Sequence, residues 1–164
     1  RRSQHTHGRG TRRLARRMTT ADDGFVADAM LGKLVTYMRM AGYDVLYAPD
    51  EGAVKDDEVA SLASRKCRKL ITRDVELGES TGGLLVESKQ VEEQLRELAD
   101  EGLSFELDEP SRCSVCNGTL TETDAEKSDD VPDDIERAWR CDDCGKVYWK
   151  GSHWDDVRET FDSL

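Results

Sequence analysis

No apolar run among the 164 residues approaches the roughly 18 residues a membrane-spanning helix needs, and no apolar signal segment is apparent. No Gly-x-Gly-x-x-Gly, no phosphate loop ending in Gly-Lys-Ser/Thr and no Ser-His-Asp set is apparent, which removes the familiar nucleotide-binding loops and serine hydrolysis. An even cysteine count is missing as well. Five cysteines without a signal segment speak against a disulfide framework and for a reducing, cytoplasmic setting. Lysine is scarce outside the first residues while aspartate is abundant, a surface suited to high salt, where repulsion is screened within a few ångströms. The composition points to a halophilic source.

Charge is distributed unevenly. Residues 1–17 hold seven arginines and no acid, so the remainder carries 17 basic against 35 acidic side chains, a formal −18. An Arg-rich start of this kind is either a nucleic-acid arm or an extension outside the folded unit. The second is expected, because Met18 followed by Thr19-Thr20-Ala21-Asp22-Asp23 resembles an initiator ahead of the first strand.

Four of the cysteines form two Cys-x-x-Cys pairs, Cys113/Cys116 and Cys141/Cys144, with 24 residues between them. Two tight turns at this spacing present four thiolates to one tetrahedral zinc. Cys116-Asn117-Gly118 and Cys144-Gly145 supply the turn chemistry. Four sulfur ligands leave no open position, so the expected zinc is structural.

From Phe25 to Ala99 strands and helices alternate. Strands are expected at Phe25–Ala27, Asp44–Tyr47, Lys69–Thr72 and Gly83–Val86. Helices are expected through Leu31, Leu34, Val35 and Met38 up to Gly42, from Asp56 through Val59, Leu62 and Ala63, and from Val91 to Ala99. Strands joined by helices of this length imply a parallel α/β sheet. Phe105 to Pro110 reads as linker or edge strand, Arg112 to Trp149 as the zinc ribbon, and Thr121 to Asp134 as an acidic mobile loop within it. A closing helix carries Trp154, Val157, Phe161 and Leu164 on one face, with Ser152 as N-cap. The expected organisation is therefore an Arg-rich extension over 1–22, an α/β domain over 23–108, and the ribbon with its closing helix over 109–164.

In a parallel α/β sheet the strand C-termini and the helix N-termini share one edge, along which ligands bind. Asp28 directly follows the first strand, Asp74 follows the third, and Asp56, Asp57 and Glu58 open the second helix. Carboxylates gathered in this way repel unless a cation sits among them, and Mg²⁺ or Mn²⁺ suits oxygen ligands. Such a site fits phosphodiester hydrolysis. N-capping is the plainer role for acids at strand-to-helix junctions.

Several segments in this order, Phe25-Val26-Ala27-Asp28-Ala29-Met30-Leu31-Gly32-Lys33-Leu34, Met40-Ala41-Gly42-Tyr43-Asp44, Asp56-Asp57-Glu58, Leu70-Ile71-Thr72-Arg73-Asp74, the ribbon, and Val147-Tyr148-Trp149-Lys150-Gly151-Ser152-His153-Trp154, resemble the Mut-seven C-terminal ribonuclease family. The resemblance runs from Phe25 to about Phe161. It implies a PIN-like nuclease fold fused to a zinc ribbon, an RNA-cleaving activity, and Asp28, Asp57 or Glu58, and Asp74 as ligands of a catalytic Mg²⁺ or Mn²⁺. Glu76 or Glu79 would supply a fourth acid. Lys33 and Arg73 lie near the rim in sequence, as phosphate contacts or as solvated charges. Single-stranded RNA is the expected partner. Two alternatives stand beside cleavage: a catalytically inactive RNA- or ribosome-associated adaptor, and a toxin-like nuclease regulated by a protein partner.

Tyr148, Trp149, His153 and Trp154 either stack on unpaired bases or pack the ribbon against the α/β domain, and packing is the expectation for a ribbon with so few other apolar residues. His153 is expected as an interfacial histidine, and Cys67 as a small buried thiol.

Overall fold

A computed structural model describes residues 24–164. The Arg-rich start and Met18 lie outside the described residues.

Short apolar runs form the centre of the molecule. β1 (Phe25–Ala27), β2 (Val45–Tyr47), β3 (Lys69–Thr72) and β4 (Leu84–Leu85) make a parallel sheet in the order β2-β1-β3-β4. Side chains alternate across it, and both faces are covered. Phe25, Ala27 and Ile71 point to one face, where they meet α1 (Gly32–Met40) through Leu34 and Met38 and α4 (Val91–Asp100) through Leu95 and Leu98. Val26 and Leu70 point to the other, against Val59 and Leu62 of α2 (Asp56–Arg65) and Leu77 of α3 (Val75–Thr81). Burying one such Leu, Val or Phe side chain contributes about 1.5–3 kcal/mol, so these two layers supply most of the driving force. Gly42 ends α1 at φ +94, a backbone region that costs a side-chain-bearing residue energy.

The expected parallel α/β architecture is present, with local differences. α3 is an element that the apolar spacing does not announce. Of the two readings of Phe105 to Pro110, linker or edge strand, the structure has the linker. The ribbon is a three-stranded antiparallel sheet, β5 (Leu120–Asp124), β6 (Arg137–Cys141) and β7 (Val147–Tyr148). The expected loop is therefore a strand in its first part. β5 pairs over its whole length with β6, and Arg137 bonds Glu122 across the pair at 2.9 Å. A 3₁₀ turn, Ala125–Lys127, follows it.

The closing helix α5 (Ser152–Asp162) has Gly151 rather than Ser152 at its N-cap position, with no side-chain cap. It returns to the α/β unit: Phe161 stacks near Phe105 at 5.7 Å and Tyr37 at 6.1 Å between ring centres. Cys67 differs from expectation. It sits exposed at φ +52 in the turn after α2, a conformation that swings its side chain out of the core.

Candidate functional site

The parallel register fixes where the acids stand. Ala27 pairs with Ile71, so the next residues, Asp28 and Thr72, emerge side by side at the C-terminal edge. The Asp28 amide donates to the Ile71 carbonyl at 3.1 Å. One carboxylate oxygen of Asp28 accepts from the Ala29 amide at 2.6 Å, and the other accepts from the Thr72 hydroxyl at 3.0 Å. The Thr72 oxygen in turn accepts from the Asp74 amide at 3.0 Å. Thr72 is fully buried, so one hydroxyl ties both acid-bearing turns together in a water-poor position. Asp74 Oδ1 caps α3 by accepting from the Leu77 amide at 2.9 Å. Thr72 stands inside the Thr-Arg-Asp segment, and nothing about its residue type announces this bridging role.

The other acids are placed differently. Glu58 accepts from the Val54 and Lys55 amides at 3.0 Å each, and these bonds hold its pKa below the usual glutamate value. It acts as the cap of its own helix. Asp57 is exposed on the first turn of α2, and Glu76 and Glu79 are exposed on α3. Lys33 is exposed on the first turn of α1. Arg73 donates to the Glu87 carbonyl at 3.4 Å, while its buried Nε has no partner. Glu87 is a further exposed acid at this end of the sheet: it follows Val86, whose amide bonds the Thr72 carbonyl at 2.9 Å. Among the described residues, no three carboxylates lie with ligand atoms within 4.8 Å of one another.

The cysteines do converge. The sulfurs of Cys113, Cys116, Cys141 and Cys144 all lie within 4.8 Å of one another, with Cys113–Cys144 at 3.7 Å and Cys116–Cys141 at 3.4 Å. A tetrahedron with Zn–S bonds of about 2.3 Å has sulfur–sulfur edges of about 3.8 Å, so the donor set fits zinc in number, type and spacing. Burial pushes both thiols of the first knuckle up. In Cys113 the Tyr148 hydroxyl, 2.9 Å away, and the amides of Cys116 and Val115 reverse this and bring the pKa to about 7. In Cys116 burial and the crowding of the other three thiols prevail, pushing it up to about 12. Such a set ionises together only around a cation. Gly118 leaves room for it: a Cβ there would lie 2.7 Å from Cys141 Sγ.

The first knuckle is also the dock between the two units. β2 is an edge strand, and Val45 turns its amide and carbonyl away from β1. Asn117 Oδ1 accepts from the Val45 amide at 3.1 Å. The Arg39 guanidinium donates to the Val45 carbonyl at 2.8 and 3.0 Å, and to the Ser114 and Val115 carbonyls at 3.2 and 3.0 Å. Asn117 Nδ2 donates to Asp44, which Arg68 also holds, at 2.7 and 2.6 Å. Arg39 is only 4% exposed, and burial pulls its pKa below the usual arginine value. The edge of the α/β sheet is thus closed by the first cysteine turn.

A parallel α/β sheet with acids at its strand ends, joined to a four-cysteine module able to hold zinc, is the architecture expected of a PIN-like nuclease domain carrying a zinc ribbon. The profile of the Mut7-C RNAse domain family matches residues 23–161, and the chain belongs to that family. Membership points to a nuclease-type function with RNA as substrate. No curated protein and no solved structure gives a match. No helix among the described residues is long and apolar enough to cross a membrane.

Proposed function

We propose that the protein is a metal-dependent ribonuclease that hydrolyses phosphodiester bonds of single-stranded RNA at the C-terminal rim of the parallel sheet. The observation that carries this is the Asp28–Thr72–Asp74 bridge, which holds two acids from neighbouring strands at one edge. Mg²⁺ is commonly held by one or two carboxylates together with waters and substrate phosphate oxygens, so a pair of rim acids fits in donor type. Asp28 and Asp74 would hold the ion, with exposed Asp57 completing the set across the rim. Glu58, engaged with its own helix, is the weaker ligand of the pair at that position. A bound Mg²⁺ or Mn²⁺ supplies a lowered water pKa and neutralises phosphate charge.

The chain's own groups orient the rest. The two hydrogen bonds on Asp28 fix its carboxylate plane, and the cap on Asp74 fixes its rotamer. Arg73 keeps donors beyond its bond to Glu87, and Lys33 stands at the start of α1; both suit the scissile phosphate. The zinc ribbon holds structure and carries no chemistry, because its four positions are filled by sulfur.

The test is cleavage of single-stranded RNA with Mg²⁺ or Mn²⁺ at high KCl. Asp28→Asn and Asp74→Asn are each expected to abolish cleavage while RNA binding persists; unchanged activity in both would refute the assignment. A second reading, an RNA- or ribosome-associated binding protein without cleavage, is favoured by the spread of the rim carboxylates. Equal RNA binding by wild type and Asp74→Asn, with no Mn²⁺-dependent cleavage in either, would select it.

A further inference from the structure

A cleft of about 60 Å³ opens between the last residue of α1, Met40, and the ribbon. Tyr148, Trp149 and Trp154 line it, and Arg112 lines it from the chain segment entering the first knuckle. Two of these residues carry a buried N–H with no hydrogen-bond partner, Nε1 of Trp154 and Nε of Arg112. Trp154 is only 5% exposed. A buried donor left unpaired forfeits the hydrogen bond it makes with water in the unfolded chain, and two such donors in residues lining one cleft are unusual in a folded chain. Packing alone explains the burial of Trp154; it does not explain the unspent donors.

We infer that this cleft takes the edge of an unpaired nucleobase of the RNA strand, an inference that rests on the ribonuclease reading above. The chemistry selects this occupant. A base edge offers carbonyl oxygens and ring nitrogens as acceptors, and its flat faces match aromatic walls. The volume admits the edge of a ring and leaves ribose and phosphate outside. Two ammonium groups stand by these walls in an otherwise acidic body: Lys150 Nζ lies 5.6 Å from the Trp154 ring centre and Lys146 Nζ 5.3 Å from that of Tyr148. Lys150 shares its charge with Glu109 at 3.3 Å. Both are placed to meet phosphates flanking the held base.

The position along the fold also fits one strand serving both sites. α1 begins at the acidic rim and ends at Met40 after nine residues, about 13 Å. At about 3.4 Å per stacked nucleotide, a strand covers that length in roughly four nucleotides. The cleft would hold a base a few positions from the scissile phosphate, giving the enzyme a grip on unpaired RNA that its acidic surface otherwise denies it.

The test uses the full zinc-loaded chain, with no added Mg²⁺ or Mn²⁺, titrated with a short oligouridylate or with an abasic oligonucleotide of equal length. The chain has three tryptophans, so three indole N–H resonances report in an amide-correlation spectrum. The Trp154 resonance is expected to shift with oligouridylate and not with the abasic strand, while that of Trp139 stays in place. Trp154→Phe, which keeps a ring and removes the N–H, is expected to weaken oligouridylate binding roughly fivefold, the worth of one hydrogen bond, and to leave the abasic strand unaffected. Should that variant fail to fold, the wild-type spectrum decides alone, with assignment from Trp139→Phe and Trp149→Phe. RNA binding with a stationary Trp154 resonance, or equal shifts with both strands, overturns the cleft and leaves the ribonuclease reading untouched. No binding of either strand also overturns the cleft, and the rim assay with Mg²⁺ or Mn²⁺ judges the ribonuclease reading separately.

Discussion

Replacing Arg39 by methionine removes the guanidinium while keeping the unbranched stem, and the structure sets the size of the effect. Four hydrogen bonds to three carbonyl groups disappear. Hydrogen bonds to a charged group contribute about 1.5–3 kcal/mol each, but the three acceptors do not lose equally. Val115 is 53% exposed, so its carbonyl is rehydrated at little cost. Val45 is fully buried, and its carbonyl has no replacement donor. The substitution also relieves the desolvation of a buried cation, which offsets part of the loss. The balance is about 2–4 kcal/mol. For a chain of this length the middle of that range lowers Tm by roughly 6–12 °C. The assay is thermal unfolding of the zinc-loaded protein, followed in parallel by the rate at which zinc passes to a chromogenic chelator. Both readouts are expected to move, because Arg39 ties the first zinc knuckle to the edge of the α/β sheet. Arg39→Lys is expected to recover part of the loss, since one compact ammonium cannot serve three carbonyls. An unchanged Tm together with an unchanged zinc-release rate would refute the reasoning.

Thr72→Val keeps shape and removes the hydroxyl that links Asp28 to the Asp74 amide; cleavage or Mn²⁺ affinity is expected to fall roughly ten- to hundredfold, with Thr72→Ser near wild type in a Mn²⁺ titration of activity. Gly118→Ala places a Cβ 2.7 Å from Cys141 Sγ, so chelator competition is expected to show zinc affinity reduced roughly tenfold or more, while one zinc per wild-type chain persists by elemental analysis. Asp44 is desolvated, which raises its pKa, but bonds from Arg68 and Asn117 and the charge of Arg112 outweigh this and hold it below its usual 3.8. Its folded pKa is depressed, so its contribution is present above the unfolded value and is lost as pH falls through the folded one. Denaturant melts from pH 7 downward are expected to show an acid limb beginning near pH 4, reduced in Asp44→Asn; identical limbs would contradict the assignment.

The strand and helix alternation could be read from residue order because strands buried on both faces need continuous apolar runs, as in Phe25-Val26-Ala27 and Leu70-Ile71. The cysteine cluster was equally open to reading, since turn spacing alone brings each pair together. α3 was not, because a seven-residue helix anchored by Leu77 and containing Gly78 leaves almost no periodic signal. β5 has one buried residue, Leu120, and its partner strand begins beyond a long acidic stretch, so its pairing depends on contacts that local composition does not show. Strand ends place Asp28 and Asp74 at one edge, yet whether each acid caps a helix or faces outward depends on rotamer, and Asp74 and Glu58 both show the capping outcome. The docking roles of Arg39 and Asn117 left no mark in the sequence: Arg39 reaches Ser114 and Val115, 75 and 76 residues on, and Asn117 reaches Val45, 72 residues back.

Those long-range bonds would give a zinc on the four cysteines a second role. A parallel sheet of two- to four-residue strands has little edge to spare, and β2 presents an unpaired amide and carbonyl at Val45. A further strand would satisfy both, and an exposed edge would invite pairing with another chain. Here one side chain from the knuckle and one from α1 satisfy them instead. Asn117 stands at φ +69 directly after Cys116, in the turn that a zinc on the four cysteines would hold in place. Four thiolates on one Zn²⁺ leave a net negative centre, and the buried Arg39 cation lies against the carbonyls of Ser114 and Val115 between its first two ligands. Metal binding free energy in such a module is folding free energy. A zinc held by these cysteines would transmit part of it to the edge of β2, the strand beside β1, from whose end Asp28 emerges.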